Sequence, residues 1–135
     1  MALKWFLPES GNPEAENLLT AFLIGTVSLY APDLLLIEAA SALWRRSVVL
    51  KDLKPADVKA IYRDLLTLPL NFQPSERLAA PAFSLAITHR HSAYDSLYCA
   101  LAIEMDCEFI TADRNLVAKL GRAMPFIRHL SAVDL

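Results

Sequence analysis

Ser92-Ala-Tyr-Asp-Ser-Leu-Tyr-Cys-Ala-Leu-Ala-Ile-Glu-Met-Asp-Cys-Glu-Phe-Ile-Thr-Ala-Asp113 decides how the rest of the chain is read. Ser92 caps a helix, with Asp95 three residues on, and that helix ends near Asp106. Glu108-Phe-Ile-Thr111 is β-rich and short, which predicts a strand. Asp113 closes it, and 114–120 predicts another helix. Helix, strand, acid and helix in succession are the working unit of an α/β protein.

The same alternation extends outward, with Pro and Gly as punctuation. Pro13-Glu-Ala-Glu16 opens a helix to about Ile24, with Pro and two acids in the first turn, and Gly25 stops it. Val27-Ser-Leu-Tyr-Ala31 predicts a strand, and Pro32-Asp33 starts a helix running to about Val48. Pro55-Ala-Asp57 starts a third helix, ending near Leu68. Pro69-Leu-Asn-Phe-Gln73 predicts a short strand and Pro74-Ser-Glu76 a helix to about His89. Phe126-Ile-Arg-His-Leu130 predicts the last strand. Strands alternating with helices imply a parallel sheet covered on both faces, with sites at the carboxyl ends of its strands. Asp113 stands at one of those ends.

Three carboxylates fall where packing has least use for them. Glu38 is the only charge in Leu34-Leu-Leu-Ile-Glu-Ala-Ala-Ser-Ala-Leu-Trp44, and its neighbours at i±3 and i±4 (Leu34, Leu35, Ser41, Ala42) include no basic partner. Asp95 is the only charge in 92–103. Asp113 follows Thr111 by two residues, so the two side chains point to one side of the strand. Asp95 also fits the reciprocal capping pattern with Ser92, and Asp113 fits a helix cap. A carboxylate in a helix's first turn stays ionised and remains a good ligand. An unpaired buried carboxylate pairs, protonates or binds a metal. Three from separated segments suggest a shared cation, and oxygen donors suit a hard one, Mg²⁺ or Mn²⁺. The histidines have no ligand spacing, and His89-Arg90-His91 reads as a solvated basic turn at a helix exit.

Composition narrows the classes further. At 135 residues the chain reads as one domain spanning 1–135. The net charge of -2 and pI of about 5.9 show no global basic character, so nucleic-acid binding has to be local or bridged by metal. Mean hydropathy of +0.33 implies elements buried on several sides. Cys99 and Cys107 match no zinc spacing and read as free thiols of a reducing cytoplasm. The uncharged stretch 18–32 is interrupted by Gly25, Thr26 and Ser28 and is shorter than the ~20 residues of a membrane span. Lys4 is followed by only three apolar residues before Pro8-Glu9, which predicts no secretory leader. Gly11, Gly25 and Gly121 form no phosphate-binding loop, which argues against a small-molecule α/β enzyme.

Four segments in order resemble the PIN domain, and within it the VapC-like toxins of toxin–antitoxin pairs. They are Ala2-Leu-Lys-Trp-Phe-Leu-Pro-Glu9, Ala31-Pro-Asp-Leu-Leu-Leu-Ile-Glu-Ala-Ala-Ser-Ala-Leu-Trp-Arg45, Tyr94-Asp-Ser-Leu-Tyr-Cys-Ala-Leu-Ala102 and Thr111-Ala-Asp113. The resemblance implies a three-layer α/β/α fold with a short parallel sheet and a Mg²⁺-dependent endoribonuclease activity. Glu38, Asp95 and Asp113 fall on the family's second, third and fourth acidic positions, as metal ligands, and Thr111 on the hydroxyl beside the last acid. Arg45, Arg46 and Arg114 are candidates for contact with the RNA backbone. The partners implied are an RNA substrate, a cognate antitoxin that places a basic side chain in the acidic pocket, and a second copy in a homodimer.

One departure stands out. The family begins with a hydrophobic strand ending in an aspartate, whereas this chain begins at Met1, directly before Ala2-Leu-Lys-Trp-Phe. The first central strand and first acid are absent, which removes ladder partners on both sides. Either the start was assigned too late or the chain is a truncated member. The corresponding rival to the nuclease is a catalytically impaired PIN-like module acting through dimerisation or through antitoxin or RNA binding.

Overall fold

The computed structural model describes residues 1–7 and 12–135. Residues 8–11, which include the end of the first family segment, lie outside the described residues. The elements run as a 3-10 turn (Ala2–Trp5), α1 (Pro13–Leu23), β1 (Tyr30–Pro32), α2 (Leu34–Trp44), α3 (Pro55–Thr67), β2 (Asn71–Gln73), α4 (Ser75–His89), α5 (Ala93–Met105), β3 (Phe109–Thr111), α6 (Arg114–Leu120) and β4 (Ile127–His129). Helices and strands alternate as expected, and the chain is an α/β protein.

The pieces fall into two compact units, Met1–Leu29 with Asp33–Asn71, and Tyr30–Pro32 with Phe72–Leu135. In the first unit, α1 forms because Pro13 presets the first turn and Asn12 Oδ1 accepts from the Ala15 amide at 3.0 Å. Gly25 ends it at φ +81°. The Gly25 amide donates to the Phe22 carbonyl at 3.1 Å and the Thr26 amide to Ala21 at 2.9 Å, closing the orphan carbonyls in a Schellman turn. Trp5 Nε1 donates to the Ala15 carbonyl at 2.9 Å, and Tyr62 on α3 donates to the Leu36 carbonyl of α2 at 3.1 Å. One core cluster of this unit is Ala2, Ala39 and Leu65, with Leu35, Tyr62 and Leu68 packed around them.

The helix expected to run on to about Val48 keeps its extent but changes its winding. Arg45–Val49 is π-helical, the Leu50 amide reaching the Arg45 carbonyl at 2.9 Å. Lys51 follows at φ +56°, and the Asp52 amide donates to the Arg46 carbonyl at 3.1 Å.

In the second unit β3 and β4 pair in parallel with Phe109 opposite Ile127, Ile110 opposite Arg128 and Thr111 opposite His129. Helix α6 is the crossover between them, as a parallel pair requires. The strands β1 and β2 form a separate two-stranded sheet. Among the described residues the strands form two pairs instead of the one continuous sheet expected. Helix α5 contacts both β1 and β3, and α4 packs on α5 more extensively than any other two elements meet. Cys99, Leu116, Leu120, Met124 and Ile127 form the core under β3, β4 and α6. Tyr98 stacks on Phe109 with ring centroids 5.5 Å apart.

Candidate functional site

Asp113 is placed by the strand-to-helix junction. It follows β3 in an extended conformation, and its Oδ1 accepts from the Asn115 amide at 2.9 Å and the Leu116 amide at 3.1 Å. Its own amide donates to Thr111 Oγ1 at 3.1 Å. Thr111 is one of two buried polar residues among those described, so its hydroxyl shapes the turn from inside while Asp113 stays exposed. The capping reading of Asp113 is thus realised, and it fixes the carboxylate at the carboxyl end of β3.

Asp95 lies in the first turn of α5. The Ser92 hydroxyl accepts from the Asp95 amide at 3.2 Å and donates to Asp95 Oδ2 at the same distance. The expected capping pattern is present, with the return bond made to the hydroxyl. A second partner was not expected: His91 Nε2 lies 2.7 Å from Asp95 Oδ2, and the histidine side chain is only 15% exposed. The turn read as a solvated basic one therefore turns its last residue inward. The signal available in the sequence was spacing, a histidine four residues before the acid and next to its cap.

Glu38 belongs to the other unit, half-buried on α2. Burial and the Lys4 charge lower the pKa of the Met1 amine, and the Glu38 carboxylate pulls it the other way. Of the three arginines, Arg46 is ion-paired through Nε to Asp52 at 2.7 Å, whereas Arg45 and Arg114 are exposed.

Each of the three acids offers oxygen donors of the kind a hard divalent cation takes. A carboxylate has two oxygens and about four lone-pair sites, so the bonds just described exhaust neither aspartate. Among the described residues no three His, Cys, Asp or Glu side chains are grouped closely enough to hold an ion, and no helix is long and apolar enough to cross a membrane.

Burial pushes the Cys99 thiol up from 9.0 to about 11, and the negative charge of Asp95 adds to the rise. An acid whose folded pKa is raised favours the fold in its protonated form. That stability is complete below pH 9.0 and is lost as pH climbs through about 11. The melting temperature of Cys99→Ala is accordingly expected to fall less steeply than that of the parent across this window. Identical slopes in a pH series of thermal melts would contradict it.

A sequence model of the PIN domain matches residues 2–121. The chain is also similar to Ribonuclease VapC3 of Pyrobaculum aerophilum, 26% identical over 117 residues that cover 84% of this chain and 85% of the relative. The family match takes in all four segments singled out in the sequence and runs through both structural units, so the chain belongs to the PIN domain family.

Proposed function

We propose that this chain is a Mg²⁺-dependent endoribonuclease, the toxin of a toxin–antitoxin pair, acting in the cytoplasm on RNA phosphodiester bonds. The observation that carries the reading is Asp113 held at the carboxyl end of a parallel strand with the Thr111 hydroxyl beneath it, the position where α/β sheets keep their sites. Family membership and the ribonuclease name of the relative support the reaction class. The whole of 1–135 is read as one PIN domain, because the family match crosses from one unit to the other.

In this reading Glu38, Asp95 and Asp113 would hold the ion, with Mn²⁺ able to replace Mg²⁺. The bound cation would supply Lewis acidity toward water and phosphate oxygens. Thr111 fixes the turn that presents Asp113, and the two amide donors on Asp113 Oδ1 hold that carboxylate in one orientation. Arg45 and Arg114 offer charge to the RNA backbone. Arg46 is a weaker contact because Asp52 already holds it. An antitoxin would oppose the acids with a basic side chain, and the active form would be a homodimer.

Incubation of a labelled single-stranded RNA with the purified chain tests the reaction class. Cleavage is expected with Mg²⁺ or Mn²⁺ and none with EDTA. An intact RNA in both metals, or equal cleavage in EDTA, would remove the proposal.

A further inference from the structure

We propose that Arg90, Lys119 and Arg122 form a basic ridge that binds the phosphate backbone of single-stranded RNA; the inference deepens the reading of RNA as the substrate and needs no metal ion.

Helix α6 carries the middle of the ridge. Its inner side is apolar, with Leu116 and Leu120 buried in the core under β3 and β4. Its outer side presents Arg114, Asn115, Ala118 and Lys119 to solvent. The helical winding continues past its end, with Gly121 in the right-handed region at φ -61°, ψ -27° and the Met124 amide donating to the Leu120 carbonyl at 2.8 Å. The exposed Arg122 therefore lies one turn beyond Lys119, on the same side. No acid falls anywhere in 114–122. Lys119 Nζ donates to the Arg90 carbonyl at 3.2 Å, which brings the end of α4 against this row. An ammonium has three donors, so one bond to a carbonyl leaves two for phosphate oxygens. Among the described residues no ion pair holds Arg90, Lys119 or Arg122, in a chain whose net charge is -2. Exposed cations gathered on one surface of an acidic chain are a local footprint for an anionic partner.

The backbone at Arg90 gives a second, independent reason. Arg90 ends α4 in the left-handed region at φ 51°, ψ 47°, and the His91 amide returns to the Ala86 carbonyl at 3.1 Å, the long bond of a Schellman turn. Glycine takes this conformation without the crowding that a Cβ brings. Stability alone therefore favours glycine at 90. What arginine adds is an exposed guanidinium, which can give a phosphate two parallel hydrogen bonds. Tyr94, 65% exposed in the first turn of α5, favours RNA over an acidic peptide, because an aromatic face in a basic segment offers bases a stacking platform.

The test measures binding of a labelled oligouridine to the full chain in EDTA by fluorescence anisotropy, across a salt series, beside thermal melts. Arg90→Gly is expected to bind about fivefold more weakly near 0.1 M salt and to lower the salt slope by about 0.7, the share of one phosphate contact on a single strand. It is expected to melt at or above the wild-type temperature. Lys119→Gln combined with Arg122→Gln is expected to weaken binding about 25-fold and to lower the slope by about 1.4. Arg63→Gln, at an exposed position of α3 in the other unit, is expected to bind as wild type. Wild-type affinity in Arg90→Gly and in the double variant overturns the inference and leaves the nuclease reading to its own cleavage test. An Arg90→Gly chain that loses melting temperature together with affinity makes Arg90 a structural residue and overturns it too. Equal weakening in Arg63→Gln would reduce the effect to net charge, and displacement of the RNA by a polyglutamate peptide of equal charge would make the ridge a protein-docking surface; either overturns it. The expected binding in EDTA by a chain that cuts no RNA with Mg²⁺ supports the ridge and removes the nuclease.

Discussion

Asp113→Asn and Asp95→Asn are each expected to reduce Mg²⁺-dependent RNA cleavage by about a hundredfold or more while leaving the chain folded. The size follows from the several kcal/mol of charge stabilisation that a properly held cation contributes, at 1.36 kcal/mol per tenfold in rate. The fold should survive because asparagine keeps the acceptor each cap needs. Asn at 113 still offers Oδ1 to the Asn115 and Leu116 amides, and Asn at 95 still offers an oxygen to Ser92 and His91. Asp113→Ala would instead lose the cap as well, at a cost of about 1 kcal/mol. Single-turnover cleavage beside a thermal melt separates the two effects. Unchanged cleavage in both asparagine variants would remove these acids from the chemistry.

Leu65→Ala is expected to have the largest effect on stability. Leu65 is 0% exposed and packs with Ala2 and Ala39 in a core cluster of the first unit. Truncating a buried leucine costs about 2–5 kcal/mol, a large share of the 5–15 kcal/mol typical of a folded domain. Leu78, 1% exposed on α4 in the second unit, should behave alike when changed to alanine. The pair also tests the reading of 1–135 as one domain. A single cooperative transition shifted by either variant supports it. Two transitions, each moved by only one variant, would contradict it.

Much of this was legible because local chemistry decided it. Pro13, Gly25, Pro55, Ser92 and Asp113 mark helix ends through rules that act within a few residues, and α1, α3, α5 and α6 begin or stop there. The strands were legible in place but not in length, because each is only three residues long. The π-helical turn at Arg45–Val49 carries no signature in a run that reads as ordinary helix. Its consequence, the Arg46–Asp52 pair, stayed hidden with it. His91 escaped notice for a related reason. Its inward turn depends on a left-handed residue at 90, and the usual marker of that conformation is glycine, whereas arginine stands there. Asp106 repeats the pattern after α5, at φ 49°, with the Cys107 amide returning to the Ala102 carbonyl at 3.0 Å.

The acids were the clearest part of the site in the sequence, since each breaks an apolar run. Two of the three also serve as helix-start residues, which shows why an N-terminal carboxylate alone is ambiguous. Capping and ligation use different lone pairs of the same group, so one role does not displace the other. That Glu38, Asp95 and Asp113 share one ion is the central proposal.

Anomalous diffraction from a crystal of the chain grown with Mn²⁺ tests it most directly. The account predicts a peak within about 2.5 Å, the range of oxygen coordination, of carboxylate oxygens from Glu38, Asp95 and Asp113 together. A peak held by other residues, or three carboxylates clearly resolved with no ion among them, would contradict it.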